Sequence, residues 1–394
     1  MVNTILAKRV NHIVAKGDHP VWPKGSKSHG FSNNITKRKK QMNRLLLGTM
    51  LWAVICLAAG CTEDDETTQG QWIKKVSYNG YARSYACSFT IGNKGYLCTG
   101  YRGANKEFLN DLWEFDMDSE TWTQCETMPV EGRRYAAAFA VNGKGYVTTG
   151  GKKDGTMVTY VSDTWEYDPS TDTWTQKDDF KGGAREGALA FAIGGYGYVG
   201  TGYNDDTIGW MLDFYRFNPN AAAGSQWEIV NGYGGEKRRY GTAFVIDDVA
   251  YICCGENNGT NLVDFWKFDG NTWTQLRDIA NTNEDEDYDD DYAITRYNTV
   301  SFSIDGLGYI ATGYRSGVTS DYWMYDPDQD LWYGDSDDDF TPLTNVHNYA
   351  SGASSRDGAV AFSNGSRGFI LTGQSGSSYF DDIYELLPDE EEDV

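Results

Sequence analysis

Six stretches of this chain repeat one pattern, and that repetition limits the fold more than any single motif does. They are "RSYACSFTIGNKGYLCTGY" from Arg83, "RRYAAAFAVNGKGYVTTGG" from Arg133, "REGALAFAIGGYGYVGTGY" from Arg185, "RRYGTAFVIDDVAYICCGE" from Arg238, "RYNTVSFSIDGLGYIATGY" from Arg296 and "RDGAVAFSNGSRGFILTGQ" from Arg356. The reference glycines are Gly100, Gly150, Gly202, Gly255, Gly313 and Gly373. A period of roughly 50–60 residues marks one supersecondary unit that buries its apolar face only against its neighbours. Arginines at one end of a stretch and glycines at the other would suit an anion site in isolation. Six copies argue for scaffold first.

Each unit contains four strand signals. A small-residue run with alternation (Ala136 to Val141), a tight Gly/Asn/Asp turn and an aromatic-led run (Tyr146 to Thr149) predict a hairpin. A third strand follows at "DLWEFD" (111–116), "DTWEYD" (163–168), "DFYRFN" (213–218), "DFWKFD" (264–269), "DYWMYD" (321–326) and "DIYELL" (382–387). The fourth carries Trp122, Trp174, Trp227, Trp273 or Trp332. The last unit lacks its Trp strand, while "GQWIKKV" (70–76) stands alone ahead of the first. An N-terminal strand that completes the sixth unit would close a ring and remove the exposed sheet edges of an open array.

The tandem units resemble kelch repeats, in which an Arg-led strand, a Gly pair, an aromatic and a spaced Trp build one four-stranded propeller blade. The resemblance covers residues 71 to about 388 and departs from the pattern in one respect. Only Gly150-Gly151 keeps the double glycine; Tyr101, Tyr203, Glu256, Tyr314 and Gln374 stand at the second position elsewhere. It implies an all-β, six-bladed kelch-type β-propeller over residues 70–388, with four antiparallel strands per blade. An aromatic content of 14%, with 45 Gly and no long amphipathic helical pattern, agrees. Small residues on the first strands suit a crowded axis, and the Trp positions suit the wider space between blades.

Residues 42–61, "MNRLLLGTMLWAVICLAAGC", have a basic start, an apolar stretch and small residues before Cys61, the layout of a secretory signal. The ending resembles a bacterial lipobox, which implies a signal peptide over 42–60 and lipidation of Cys61. The apolar stretch, about 15 residues, is short for a membrane span. Residues 1–41 are polar and basic and fit neither signal nor fold, so Met42 is the expected start of translation. The acidic residues 61–69 read as a tether, and "TEDDE" (62–66) resembles a surface-export signal of Gram-negative outer-membrane lipoproteins. Residues 389–394 read as an acidic tail. The expected location is the outer membrane, facing outward, with membrane contact only through the Cys61 lipid.

From Cys61 onward the chain carries 24 Lys/Arg against 56 Asp/Glu, a net of −32. Such a surface repels nucleic acid at long range. That segment holds a single histidine, His347, so a site with two His ligands cannot be built. The copper chemistry of galactose oxidase, with which such propellers are compared, is thereby excluded. Cys87, Cys98, Cys125, Cys253 and Cys254 show no metal-ligand spacing and read as buried thiols. No cofactor is expected beyond calcium, for which "NEDEDYDDDY" (283–292) and "DSDDD" (335–339) offer Asp287, Asp289, Asp291, Asp335 and Asp337. Neither run matches an EF-hand loop, and charge runs are usually solvated.

One arginine and one aspartate recur per unit: Arg83, Arg134, Arg185, Arg239, Arg296 and Arg356 with Asp111, Asp163, Asp213, Asp264, Asp321 and Asp382. The favoured reading is structural. The rival, implied by the kelch resemblance, presents these arginines at the channel mouth to an acidic ligand. Trp210 is the one tryptophan after Cys61 outside the framework positions, and it suits a stacking platform or a plug equally. With Tyr101, Tyr203, Glu256 and Tyr314 it belongs to a loop face fit for a glycan or a protein. The leading expectation is a non-catalytic, ligand-binding surface lipoprotein. The alternatives are an enzyme similar to sialic acid mutarotases, with Glu186, Glu256 or Asp357 as acid/base, and a structural component of an envelope complex.

Overall fold

Alternating burial along Ala137–Val141, followed by Asn142 at φ 53° and Gly143 at φ 74°, gives the hairpin its two-residue turn. Two successive left-handed residues match the right-handed twist of the flanking strands. Asp247 and Asp248 play the same part in the fourth unit at φ 49° and 63°. From this seed each sheet grows outward: Ala137–Val141 pairs with Lys144–Thr148, then Thr164–Asp168, then Thr173–Lys177.

The computed structural model describes residues 68–207, 209–280, 294–333 and 354–392, all within the unit Asp64–Val394. Among these residues there are six four-stranded antiparallel sheets and no α-helix. Their innermost strands are Cys87–Ile91, Ala137–Val141, Leu189–Ile193, Thr242–Ile246, Val300–Ile304 and Val360–Ser363. Each lies beside the innermost strands of both neighbours, and Val360–Ser363 returns to Cys87–Ile91, closing the ring. The fold is therefore a kelch-type β-propeller. In the sixth blade the outermost strand is Thr68–Lys74, paired with Ile383–Glu392 so that Trp72 faces Leu386. This pairing also takes in Thr68 and Gln69, opposite Glu392 and Glu391, which the sequence suggested were tether and tail.

Blades join through an aromatic seam. Phe139 of the second blade lies over Gly197 of the third, where an added Cβ would fall inside the ring, and Trp227 of the third closes over it at 6.3 Å. The same seating puts Phe89 on Gly145, Phe244 on Gly308, Phe302 on Gly368 and Phe362 on Gly95. Trp332, Trp72 and Trp122 reach back to Phe244, Phe302 and Phe362.

Two head-to-tail hydrogen-bond rings circle the axis. In one, the N–H of Gly100 donates to the carbonyl of Arg133, Gly150 to Arg185, Gly202 to Arg238, Gly255 to Arg296, Gly313 to Arg356 and Gly373 to Arg83, at 2.7–2.8 Å. At Gly150, φ is 106° and a Cβ would approach the Arg134 carbonyl at 3.0 Å, so glycine is required. In the other ring, Tyr85, Tyr135, Gly187, Tyr240, Asn298 and Gly358 each donate to the preceding member's carbonyl, and Tyr85 N–H closes on Gly358 at 2.8 Å. All six have φ between 51° and 66°.

Candidate functional site

The strand-leading arginines are framework. Arg83, Arg133, Arg185, Arg238, Arg296 and Arg356 are each at most 2% exposed. They pair with Asp111, Asp163, Asp213, Asp264, Asp321 and Asp382. Arg133 shows the arrangement: Nη1 donates to Asp163 Oδ1 at 2.8 Å and to the Thr149 carbonyl at 2.9 Å, and Nη2 donates to Asp163 Oδ2 at 2.8 Å. Where the third strand begins Asp-x-Trp, the indole donates to the same carboxylate, as Trp165 does to Asp163 at 2.7 Å. Burial would raise the Asp163 carboxyl, but the hydrogen-bonded Arg133 outweighs it and holds the group below its ordinary value.

This corrects the expected arginine set in two ways. In the second and fourth blades the partner of Asp163 and Asp264 is the first arginine of each pair, Arg133 and Arg238, not Arg134 and Arg239. Arg83, Arg185, Arg296 and Arg356 have no guanidinium surface to offer an anion, because each is buried in its ion pair. The displaced Arg134 and Arg239 instead pair with glutamates, and Arg239 lines the axial cavity. Arg134 donates to Glu186 at 3.2 Å, and Arg239 is hydrogen-bonded to Glu256.

Around the axis the second residue after each framework arginine forms the ring closed by Tyr85 and Gly358, and over it opens a cavity of about 690 Å³. Tyr85, Tyr135, Tyr240, Tyr297 and Tyr314 contribute its aromatic walls, and Arg239, Glu256, Asn298, Asp357 and Gln374 its polar ones. Tyr135 stacks between Tyr85 and Tyr240, 4.3 Å from each, and Tyr297 lies 5.2 Å from Tyr314. A smaller space of about 130 Å³ continues past these rings to Ala86, Ala136, Ala188 and Gly241.

The three expected acid/base candidates separate here. Glu186, 3% exposed, accepts from Arg134 and from Tyr240 Oη at 3.2 Å. Glu256, equally buried, holds Arg239 and accepts from the Gly259 N–H at 2.7 Å and Trp210 Nε1 at 3.4 Å. Asp357, 6% exposed, accepts from Asn298 Nδ2 at 3.1 Å and Tyr85 Oη at 3.4 Å. Burial pushes its carboxyl up, against those hydrogen bonds and that of Gln374. A carboxyl raised by burial and facing a cavity has the character of an acid/base group.

Trp210 is not a free-standing platform. It lies in a short hairpin strand, Gly209–Trp210, edge-on to Tyr203 at 4.8 Å and under the Arg239 guanidinium at 5.5 Å, so it braces the mouth's ion pair. Tyr101 packs edge-on against Phe108 and Tyr379, away from the cavity walls, whereas Tyr314 and Gln374 line them. Tyr85, Tyr135, Tyr240, Tyr297 and Asn298 were missed from the sequence. Their signal was the spacing of 17 residues from framework arginine to reference glycine, identical in all six units, which fixes the register that the paired arginines obscure. Cys61, the acidic loop residues Asp287, Asp289, Asp291, Asp335 and Asp337, and His347 lie outside the described residues.

Comparison with known proteins adds the following. Residues 66–185 match the family model described as the KLHDC2/KLHL20/DRC7 Kelch-repeats domain. A solved structure titled "Structure of YjhT" superposes with a TM-score of 0.59 at 14% identity, covering 78% of this chain and 96% of that one. A comparison with curated proteins gave no match.

Proposed function

We propose that this propeller binds a carbohydrate in its axial cavity, displayed at the cell surface by a lipid on Cys61. The cavity carries the reading: about 690 Å³ walled by tyrosines, with carboxylate, amide and guanidinium groups converging on it. Flat aromatic walls cover the C–H faces of a sugar ring, while amides and carboxylates take its hydroxyls. The location rests on the signal-like segment 42–61 and the acidic "TEDDE" behind it. A glycan array probed with the chain from residue 61, carrying Cys61→Ser to prevent lipidation, should give specific binding that Tyr240→Ala and Asn298→Ala remove. Absence of binding to every glycan would overturn the reading. In cells, Cys61→Ala should release the protein from the membrane fraction, and protease added to intact cells should degrade the wild type. Retention of the variant in membranes, or full protection of the wild type, would refute the anchored, outward-facing location.

A second reading is favoured by one observation, the buried Asp357 with its raised carboxyl beside Tyr85. Such a group can take a proton from a sugar's anomeric hydroxyl and return it to the ring oxygen, opening and reclosing the ring with no net change in composition. That is anomer exchange, as in the sialic acid mutarotases that some kelch propellers resemble. Magnetisation-exchange NMR on a bound sugar should then show faster interconversion with wild type than with Asp357→Asn. Equal rates would leave binding alone.

A further inference from the structure

The charges around the cavity are unequally compensated. The six framework arginines are neutralised by aspartates, Arg134 by Glu186, and Arg239 by Glu256. Arg315 lies exposed at the rim. Asp357 follows a framework arginine, but Arg356 turns to Asp382. Among the described residues the side-chain hydrogen-bond partners of Asp357, which are Asn298, Gln374 and Tyr85, are neutral. A carboxylate that is 6% exposed and held only by neutral donors carries a desolvation penalty that a cation beside it would relieve.

Its surroundings suit such a cation. Tyr85, Tyr297 and Tyr314 line the same cavity, and the negative faces of aromatic rings attract ammonium groups. The strongly acidic chain raises the local concentration of cations at a cleft. With the leading arginines locked in ion pairs, the described cavity wall sets two guanidiniums, Arg239 and Arg315, against two carboxylates, Glu256 and Asp357, and so offers an anion no excess of positive charge.

We propose that the axial cavity takes a ligand bearing a protonated or quaternary amine, its cation seated on the Asp357 carboxylate among the tyrosines. This rests on the reading of the cavity as the ligand site, and within the carbohydrate reading it names an amino sugar. The test titrates the unlipidated chain with four probes by calorimetry: glucosamine, glucose, glucuronate and tetramethylammonium.

Glucosamine should bind at least about tenfold tighter than glucose, equivalent to about 1.4 kcal/mol. Asp357→Asn should erase that preference, bringing glucosamine and glucose to within about twofold of each other. Equal affinities for glucose and glucosamine in the wild type, or preference for glucuronate, would overturn the cation site and leave the sugar reading standing. Tetramethylammonium binding that Asp357→Asn abolishes, with no sugar bound, would keep the cation site and remove the sugar reading. No binding by any probe would overturn the amine proposal. If Asp357→Asn does not fold, the wild-type preference among glucosamine, glucose and glucuronate still decides for or against the cation site.

Discussion

At the scale of single residues, the buried Arg–Asp pair explains why the same two letters recur in every unit, with a Trp donating to the carboxylate in four of the six. A guanidinium buried without its carboxylate leaves an uncompensated charge, which costs about 3–5 kcal/mol. Arg296→Ala strands the carboxylate of Asp321, 8% exposed, and should lower the urea-unfolding free energy by about that amount. Replacing both members with Met and Leu should recover most of it. The carboxylates also set opposite pH slopes. Asp111 and Asp321 are raised by burial but lowered more by Arg83 and Arg296, so their folded values lie below the ordinary one. Their stabilisation is complete above the unfolded value of ~4 and is lost as pH falls through the folded values. Asp357 runs the other way: its raised folded value means that stability is lost as pH rises through it. Asp357→Asn should therefore melt higher than wild type at pH 7, with the gap closing below about pH 4; a lower melting temperature at pH 7 would contradict this. The pairs were legible in the sequence because they recur. The cavity residues were not, since what makes Tyr85, Asn298 and Gly358 equivalent is their place in one hydrogen-bond ring, and they share no side-chain chemistry.

At the scale of strands, the sequence shows which residues alternate inward but not what faces them across a blade boundary. The hairpins and the Asp-x-Trp strands could be placed because their turn chemistry and periodicity are local. The seating of Phe139 on Gly197 joins positions 58 residues apart and has no local signal. That glycine can be tested directly. Gly197→Val puts branched carbons where the Phe139 ring lies and should destabilise by about 1–3 kcal/mol or more in urea unfolding. Adding Phe139→Ala should make the double variant less destabilised than the sum of the two single ones, since the new side chain then fills the vacated space. Strict additivity would mean that the ring does not occupy the glycine's side of the seam. The fourth blade already shows the permitted limit: Ala250 stands at this position, buried in the cluster that contains Phe191.

At the scale of the whole molecule, closure depends on a strand from the other end of the chain. Thr68–Lys74 covers Ile383–Glu392, and its Trp72 is 7% exposed, packed on Phe302 and Tyr322 of the fifth blade. A chain that begins at Lys75 loses that indole along with the strand. It should unfold at least about 3–5 kcal/mol earlier and self-associate through the uncovered edge; a monomer of unchanged stability would show that the ring closes without it. The hydrogen-bond ring through Tyr85, Tyr135, Gly187, Tyr240, Asn298 and Gly358 acts on the same scale, as a hoop around a barrel does. Its six links lie in series, so the bore cannot widen at one blade without stretching or breaking a link, and there is no slack joint at which to begin. Whatever enters the cavity must therefore be accommodated by the side chains and loops above the hoop, while the hoop itself acts as a collar of fixed girth on the narrower space beyond.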